Sequence, residues 1–178
     1  YANHPPGGGV MLLEMLNVLE NFNLRDMTHN SSEYIRIVSE TMKKATLDKE
    51  MFVGDPLFID VPLEKLLSKE YASEVSDKIK KNERTFINRV TQIEPKNTTH
   101  VSVIDQEGNC VTMTHSLGMP SGVITDGLGF MFNGCMAVFD PRSGRAGSIA
   151  PGKSRFSSLA PTIVTKDGNP HIVLGAPG

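Results

Sequence analysis

The stretch that decides the fold of this chain is Asn97-Thr98-Thr99-His100-Val101-Ser102. It lies where a helical, charge-rich first half gives way to a second half of strands and turns. Residues 78–96 before it are polar and basic, whereas Val101 and Val103 alternate with polar neighbours, as strand residues do. We therefore predict that Thr98 opens a β-strand, and that it would become a new N-terminus if the Asn97–Thr98 bond were cut.

A threonine at a chain terminus carries two reactive groups on one residue. Its hydroxyl is a nucleophile, and its own α-amine can serve as the base. The stretch alone does not require this chemistry, because β-branched pairs also suit the start of an ordinary strand. The choice between a plain strand start and a self-generated nucleophile therefore depends on the rest of the chain.

Composition limits the class of protein. A length of 178 residues suffices for one domain with a proper core, and 39% apolar with 21% charged residues indicates a globular rather than a disordered chain. The formal net charge of −2 gives no reason to expect a nucleic acid or an anionic membrane surface as a partner. No apolar run approaches the roughly 18 residues that a membrane span requires.

The cysteines and the chain ends give two further expectations. Cys110 and Cys135 lack metal-ligand spacing, and we expect them to be packing residues rather than a disulfide framework. The sequence starts at Tyr1 without a methionine and stops at Gly178 directly after an apolar run. We therefore expect a fragment of a longer protein, whose targeting signals and cellular compartment this sequence leaves open.

Three helices are predicted in the first half. Apolar residues at helical spacing predict the first over residues 10–22. Asn30, with Glu33 three residues later, has the pattern of a capping box and predicts a second helix that continues to about Lys49. Val61-Pro62 predicts the start of a third helix, which ends in the basic run of residues 78–81. We interpret that run as a solvated face or linker rather than a binding patch.

The second half is predicted to be rich in β-structure. Apolar alternation predicts strands at residues 100–105, 110–116, 130–133, 162–165 and 171–174. Turn residues at 106–109 and 166–169 join the first two and the last two strands into hairpins. The glycine-rich residues 118–129 and the Pro/Gly/Arg-rich residues 140–153 are predicted to be loops.

Two patterns suggest other functions and are better explained by structure. Residues 147–154 match the P-loop pattern GxxxxGK[ST], which works only between a hydrophobic strand and a helix that aims its amides at phosphate. Residues 141–145 make no strand and Pro161 leaves little room for a helix, so we predict a loop. His100 and His115 stand on separate strands without an acidic partner at ligand spacing, and each is predicted to be structural.

Several strings across the chain carry a family resemblance. They are Thr98-Thr99-His100-Val101-Ser102-Val103, His4-Pro5-Pro6-Gly7-Gly8-Gly9, Gly54-Asp55-Pro56-Leu57-Phe58, Leu67-Ser68-Lys69-Glu70-Tyr71-Ala72, Ser157-Ser158-Leu159-Ala160-Pro161-Thr162-Ile163-Val164 and Gly175-Ala176-Pro177-Gly178. From residue 4 to residue 178, in order and spacing, they resemble the gamma-glutamyltransferase (gamma-glutamyltranspeptidase) family. The first string is similar to the start of that family's small subunit.

The resemblance implies an α+β fold of the N-terminal nucleophile hydrolase type, a four-layer αββα sandwich. It also implies a precursor that cleaves itself between Asn97 and Thr98. Residues 1–97 would then be the helical C-terminal part of the large subunit, and residues 98–178 the β-rich first part of the small subunit. The implied partners are these two subunits and a small-molecule amide substrate, and no cofactor or metal is implied.

The resemblance also implies roles for single residues. Thr98 would be the nucleophile, Ser116 would hydrogen-bond and orient it, and Gly178 with the residue after it would supply the N–H donors of an oxyanion hole. Ser157 and Ser158 would hold the α-carboxylate of the substrate. Without the family, that serine pair is equally an ordinary turn in which the hydroxyls bond to the backbone.

The chain departs from the transpeptidases in amino-acid recognition. Gly118 stands where they carry an asparagine shortly after the orienting serine. In Asn133-Gly134-Cys135-Met136-Ala137-Val138, where they bind the substrate's α-amino group with Gln or Glu and then Asp, the corresponding residues are Cys135 and Val138. A valine cannot pair with an ammonium group. We take Asn133 and Cys135 as candidate substrate-binding residues. The segment between Phe139 and Ser157 is shorter than in the lidded members of that family, and the resemblance therefore implies an open site.

The expected activity is hydrolysis or transfer of a γ-glutamyl group through an acyl-enzyme, with glutathione the family's usual donor. One alternative is an acylase or amidohydrolase of the same superfamily, whose donor lacks the α-amino group. Another is an unprocessed, inactive homologue that acts as a binding or structural module, which an intact Asn97–Thr98 bond would favour. A P-loop nucleotide binder is the last alternative, and the absence of stabilisation by ATP would exclude it.

Overall fold

Helices precede antiparallel hairpins along the chain, as a computed structural model shows for residues 1–87 and 98–177. The helices are α1 Gly9–Leu19, α2 Ser32–Phe52, α3 Leu63–Leu66 and α4 Lys69–Lys80. The strands are β1 Thr98–Ile104, β2 Cys110–Ser116, β3 Pro120–Ile124, β4 Met131–Asn133, β5 Thr162–Lys166 and β6 Asn169–Leu174. Two of the predicted site residues, Asn97 and Gly178, lie outside the described residues.

Helix α2 begins one residue later than the capping-box pattern predicts. Ser31 is the N-cap, and its hydroxyl accepts a hydrogen bond from the backbone N–H of Tyr34 at 3.3 Å. Asn30 precedes it with a φ of 60°, outside the extended region that an N-cap residue needs. The prediction that Asn30 caps the helix is therefore wrong, because both residue types cap well and the backbone path selects Ser31.

The third predicted helix is divided into α3 and α4. Ser68 lies between them in an extended conformation, and its hydroxyl accepts a hydrogen bond from the N–H of Tyr71 at 3.1 Å. A serine that caps a new helix interrupts an apolar pattern that otherwise continues at helical spacing. Lys78 and Lys80, from the basic run at residues 78–81, lie in the last turn of α4, where the helix dipole favours cations.

Helices α1, α2 and α4 pack around one apolar cluster. Its buried members, none more than 4% exposed, are Val18, Ile37, Ala72, Val75 and Ile79. Burial of side chains of this size stabilises a fold by roughly 1.5–3 kcal/mol for each large aliphatic residue. This cluster holds helices α1, α2 and α4 together.

Two carboxyl groups are buried beside this cluster. Glu14 of α1 and Asp48 of α2 are 3% and 1% exposed. Asp48 accepts hydrogen bonds from the hydroxyl of Tyr71 at 2.8 Å and from Nζ of Lys44 at 2.5 Å. Burial, followed by the hydrogen bond to Asp48 and its charge, raises the pKa of Glu14 to about 9. Glu14 therefore stays protonated at neutral pH beside the carboxylate of Asp48.

Three antiparallel hairpins make up the second half, and each is a two-stranded sheet. β1 and β2 pair from Thr98 opposite Ser116 to Ile104 opposite Cys110, and β5 pairs with β6. The prediction of a loop over residues 118–129 is wrong for β3, which pairs with β4. The glycine content hides this strand, because Gly122 takes a φ of 76° where the register of the pair shifts.

Contacts from residues 154–157 join the two halves. Phe156 packs on a second apolar cluster formed by Val10, Val53 and Leu66. The buried carboxylate of Asp55 accepts a hydrogen bond from the N–H of Ser154 at 2.7 Å. Because the same carboxylate also accepts the N–H of Leu57, these two bonds hold the pKa of Asp55 below its usual range. The helical half thus fixes the path of this segment.

The structure also describes the two cysteines and the length of the helices. Both cysteines are free thiols, with Cys135 buried and Cys110 partly exposed on β2. Among the described residues, no helix is both long and apolar enough to span a membrane.

Candidate active site

The first strand of the second half places a threonine hydroxyl against a serine hydroxyl. Thr98 is the first residue of β1 and Ser116 the last residue of β2, directly opposite in register. Oγ1 of Thr98 donates a hydrogen bond to Oγ of Ser116 at 2.9 Å. This bond orients the hydroxyl of Thr98, and a fixed orientation is what a hydroxyl needs if it is to act as a nucleophile.

Ser116 is itself held by the chain that follows it. The backbone N–H of Gly118 donates to Oγ of Ser116 at 2.9 Å. The serine oxygen therefore accepts from the turn while it accepts from Thr98. This arrangement links the position of the threonine hydroxyl to the conformation of the turn at Gly118.

The thiol of Cys135 fills the space that a side chain at position 118 would need. Gly118 has a φ of 63°, and a Cβ at this position would lie 2.9 Å from Sγ of Cys135. Cys135 is buried, with 8% of its surface exposed, and its thiol donates to the carbonyl of Leu117 at 3.3 Å. A side chain at position 118 would need both a left-handed backbone and displacement of the thiol. The position of the Cys135 thiol therefore requires a glycine at position 118.

Asn133 shapes the turn that presents Cys135. It ends β4, and its Oδ1 accepts a hydrogen bond from the N–H of Cys135 at 3.1 Å. This bond starts the short 3-10 helix Cys135–Val138, which residue patterns did not predict. The N–H of Gly134 in turn donates to the carbonyl of Met119 at 2.5 Å. Asn133 and Cys135 therefore belong to one folded unit beside Ser116.

Ser157 belongs to the segment 154–157, which contacts the helical half. Its N–H donates to the carbonyl of Pro6 at 2.8 Å, and its hydroxyl accepts from the N–H of Leu159 at 3.4 Å. The second serine, Ser158, is exposed, and its carbonyl packs against Gly8, where a Cβ would lie 2.6 Å away. The two neighbouring serines therefore have different environments: Ser157 is partly buried and Ser158 is exposed.

An open cleft of about 470 Å³ brings these residues together. Its walls include four predicted site residues, Ser116, Asn133, Cys135 and Ser157, together with Met136, Phe139, Lys153, Ser154 and Arg155. Ser158 is not in these walls, and Thr98 reaches the cleft through its bond to Ser116. Ligand sites are usually concave with a few convergent polar groups, and this cleft has that character.

The sequence analysis missed the basic residues of the cleft. Lys153 appeared there only as part of the P-loop pattern, and the prediction of a loop over residues 147–154 is confirmed. Nζ of Lys153 donates to the carbonyl of Ala146 at 2.9 Å and lies 5.8 Å from the ring centroid of Phe58. The signal that could have found Lys153 and Arg155 was their closeness in sequence to Ser157, which they precede by four and two positions.

The charged side chains among the described walls of the cleft are all positive. Lys153 and Arg155 are its charged residues, and no Asp or Glu stands with them in the described part of the lining. Such a site attracts carboxylate groups and gives an ammonium group no ion-pair partner. Within residues 1–87 and 98–177, no group of three His, Cys, Asp or Glu side chains is arranged to hold a metal ion.

Comparison with known proteins gives a consistent result. A family model described as gamma-glutamyltranspeptidase matches residues 1–178. A glutathione hydrolase proenzyme of Pseudomonas sp. (strain A14) is 33% identical over 193 residues, covering 99% of this chain and 34% of the relative. An acylase ACY 1 proenzyme of Pseudomonas sp. (strain V22) is 36% identical over 177 residues, covering 98% and 32%.

Solved structures agree on the fold. The cephalosporin acylase from Bacillus halodurans superposes with a TM-score of 0.77 at 26% sequence identity, over 97% of this chain and 31% of that chain. The predicted α+β class of the N-terminal nucleophile hydrolases is thereby confirmed. The chain spans about a third of the length of the curated relatives that it matches.

Proposed function

Because the chain belongs to the gamma-glutamyltranspeptidase family, we propose that Thr98 is the nucleophile of a self-processing amide hydrolase or acyl transferase. The observation that carries the proposal is the 2.9 Å hydrogen bond from Thr98 to Ser116 at the edge of a cleft that also contains Asn133, Cys135 and Ser157. The favoured donors are γ-glutamyl amides, in keeping with relatives named glutathione hydrolase.

The chemistry requires a free α-amine on Thr98. While the Asn97–Thr98 bond is intact, that nitrogen is an amide and has no useful basicity. Cleavage releases an amine whose ordinary pKa is about 7.7–8.0, so a useful fraction is neutral near pH 7. The amine takes the hydroxyl proton, directly or through a water, as Oγ1 attacks the substrate carbonyl.

The products follow from the collapse of the tetrahedral intermediate. The carbon–nitrogen bond of the donor breaks, the leaving amine takes the proton, and the acyl group stays on Thr98 as an ester. Water then releases the acid, or the amine of an amino acid or peptide accepts the acyl group. Ser116 orients the hydroxyl for the first step, the attack, because its own oxygen is held by Gly118.

The oxyanion must be stabilised by preorganised N–H donors, each contributing roughly 3–4 kcal/mol. We assign this role to Gly178 and the residue after it. In support, strand β6 and Gly175 lie beside β1 at His100, two residues from the nucleophile. Ser157 and Ser158 are proposed to bind the donor's α-carboxylate, Ser157 from the cleft wall.

The test is the intact mass of the full-length protein that contains this chain, measured under denaturing conditions. Wild type is expected to give two pieces that meet between Asn97 and Thr98. Thr98→Ala is expected to stay uncut, whereas Thr99→Ala, which changes an exposed residue opposite His115, is expected to be cut normally. An uncut wild-type chain would instead support the inactive-homologue alternative and remove the enzyme proposal.

A second candidate is an acylase whose donor lacks the α-amino group. It is favoured by Cys135, by Gly118 and by the basic cleft walls, none of which can pair with an ammonium. Relatives named acylase are as similar to the chain as those named glutathione hydrolase.

Matched substrates separate the two candidates. γ-Glutamyl-p-nitroanilide and glutaryl-p-nitroanilide differ only in the α-amino group, so the ratio of their kcat/KM values measures its recognition. A ratio above about ten in favour of the γ-glutamyl compound supports the first candidate, and a ratio below one supports the acylase.

A further inference from the structure

His100 lies on the same face of the nucleophile strand as Thr98. The two residues are two positions apart in β1, and side chains two apart in a strand point to the same side. Both nitrogens of the imidazole are engaged, Nδ1 with Oγ1 of Thr114 at 2.9 Å and Nε2 with Oγ of Ser102 at 2.9 Å. The ring is therefore fixed in orientation by hydroxyls from β1 and β2.

The fixed ring covers Gly175, the residue that follows β6. A Cβ at position 175 would lie 2.2 Å from Cε1 and 2.5 Å from Nδ1 of His100. These distances mean that the imidazole packs directly on the Cα of the glycine, with no room for a methyl group. Position 175 therefore requires glycine for space, since its backbone is not in the left-handed region.

A neighbouring hydroxyl strengthens the same junction. Oγ1 of Thr112 lies 3.3 Å from Nε2 of His100 and donates to the carbonyl of Leu174 at 3.2 Å. Strand β6 pairs with β5, and β1 pairs with β2, so the two hairpins belong to separate sheets. Side-chain contacts at His100 and Thr112 thus tie the end of one hairpin to the strand of the other.

From this junction we propose that His100 is a positioning residue, which holds the segment 175–177 after β6 at a set distance from Thr98. The inference rests on the proposed function, in which that segment leads to the oxyanion donors assigned to Gly178 and the residue after it. Sites of this kind must be held within about 0.5 Å, and a displacement of about 1 Å can cost roughly 100-fold in rate. His100 contacts no reacting atom in this account and acts through the backbone of Gly175.

The test compares His100→Ala with His115→Ala in the full-length protein. His115 is an exposed histidine on the neighbouring strand and serves as the matched control. We expect His100→Ala to lower kcat roughly 10- to 100-fold while KM changes less than about twofold, because substrate contacts stay in place. His115→Ala is expected to keep the wild-type kcat.

A double-mutant cycle separates positioning from general damage. Gly175→Ala alone is expected to lower kcat strongly, because its methyl group collides with the ring. In His100→Ala/Gly175→Ala the methyl group occupies the space that the ring vacates, so the double variant is expected to exceed Gly175→Ala in kcat. Effects that simply multiply, or a His100→Ala enzyme with wild-type kcat, would overturn the inference.

The outcomes distinguish this inference from the proposed function. A wild-type protein that neither cleaves itself nor turns over amides removes both. A wild-type protein that is active, together with an equally active His100→Ala variant, removes only the role of His100.

Discussion

Gly118 offers a quantitative test of how the cleft is built, through the substitution Gly118→Ala. Its left-handed backbone, at a φ of 63°, costs a residue with a side chain roughly 1–2 kcal/mol. The new methyl group would also lie 2.9 Å from Sγ of Cys135, whose bond to the carbonyl of Leu117 must then be given up at about 1 kcal/mol. The expected destabilisation is about 2–3 kcal/mol.

The same substitution is expected to slow the reaction. The N–H of Gly118 donates to Ser116, and Ser116 accepts from Thr98, so movement of this turn misplaces the proposed nucleophile. The loss of one oriented hydrogen bond corresponds to roughly a tenfold fall in kcat.

Two comparisons make the prediction specific. Gly127→Ala is the matched control, because Gly127 has a φ of 80° and nothing within 4 Å of an added Cβ. It should therefore show the backbone cost without the collision. In a Cys135→Ala background, Gly118→Ala should cost about 1 kcal/mol less than in wild type, because the thiol is gone.

The assay is the thermal midpoint and kcat of the four variants of the full-length protein. A Gly118→Ala variant no less stable than Gly127→Ala would refute the reasoning. An equal cost in the presence and absence of Cys135 would refute it as well.

Three further predictions concern single side chains. Ser116→Ala is expected to lower kcat about tenfold with KM nearly unchanged, measured with the better p-nitroanilide, because it removes the bond that orients the proposed nucleophile, Thr98. A wild-type rate would contradict this. The raised pKa of Glu14, about 9 in the fold against its ordinary 4.5, means that stability falls as pH rises from about 4.5 to about 9. Glu14→Gln should flatten this part of the curve of thermal midpoint against pH, and an unchanged slope would show that Glu14 does not cause it. Asp55→Ala should lower the thermal midpoint and kcat/KM, because it releases the segment 154–157 that lines the cleft. Asp60→Ala, at an exposed position, should change neither quantity. Equal effects of the two substitutions would contradict the role of Asp55.

Local signals predicted the elements that lie closest to Thr98. The alternation after Thr98 and the turn at residues 106–109 gave the β1–β2 hairpin, whose Gly108 takes a φ of 85° in the turn. In the structure this hairpin pairs Thr98 with Ser116, whereas the sequence indicated a role for Ser116 only through the family resemblance. The P-loop pattern was excluded on local grounds as well, since neither a strand nor a helix could flank it.

Other features depend on contacts that local patterns do not contain. Strand β3 was missed because glycines were taken as loop residues, although Gly122 is accommodated where the register of the pair shifts. The choice of Ser31 over Asn30 as the helix cap depends on the backbone path before the helix. Lys153 and Arg155 enter the cleft because Asp55 and the apolar cluster under Phe156 fix a distant segment.

The contact between His100 and Gly175 is another feature that local sequence patterns do not contain. Its residue type and position predicted a structural histidine, and the structure adds the glycine against which it packs. That contact joins residues 75 positions apart in sequence, so no local pattern could have indicated it.

The most direct test of the central claim is to trap the acyl-enzyme. The full-length protein is mixed with the better of the two p-nitroanilides, quenched in acid within the first turnovers, digested and analysed by peptide mass. The account predicts that the acyl group is found on a peptide whose first residue is Thr98, attached to its side chain, and that Thr98→Ala carries none. An acyl group on any other residue, or one that persists in Thr98→Ala, would contradict the account.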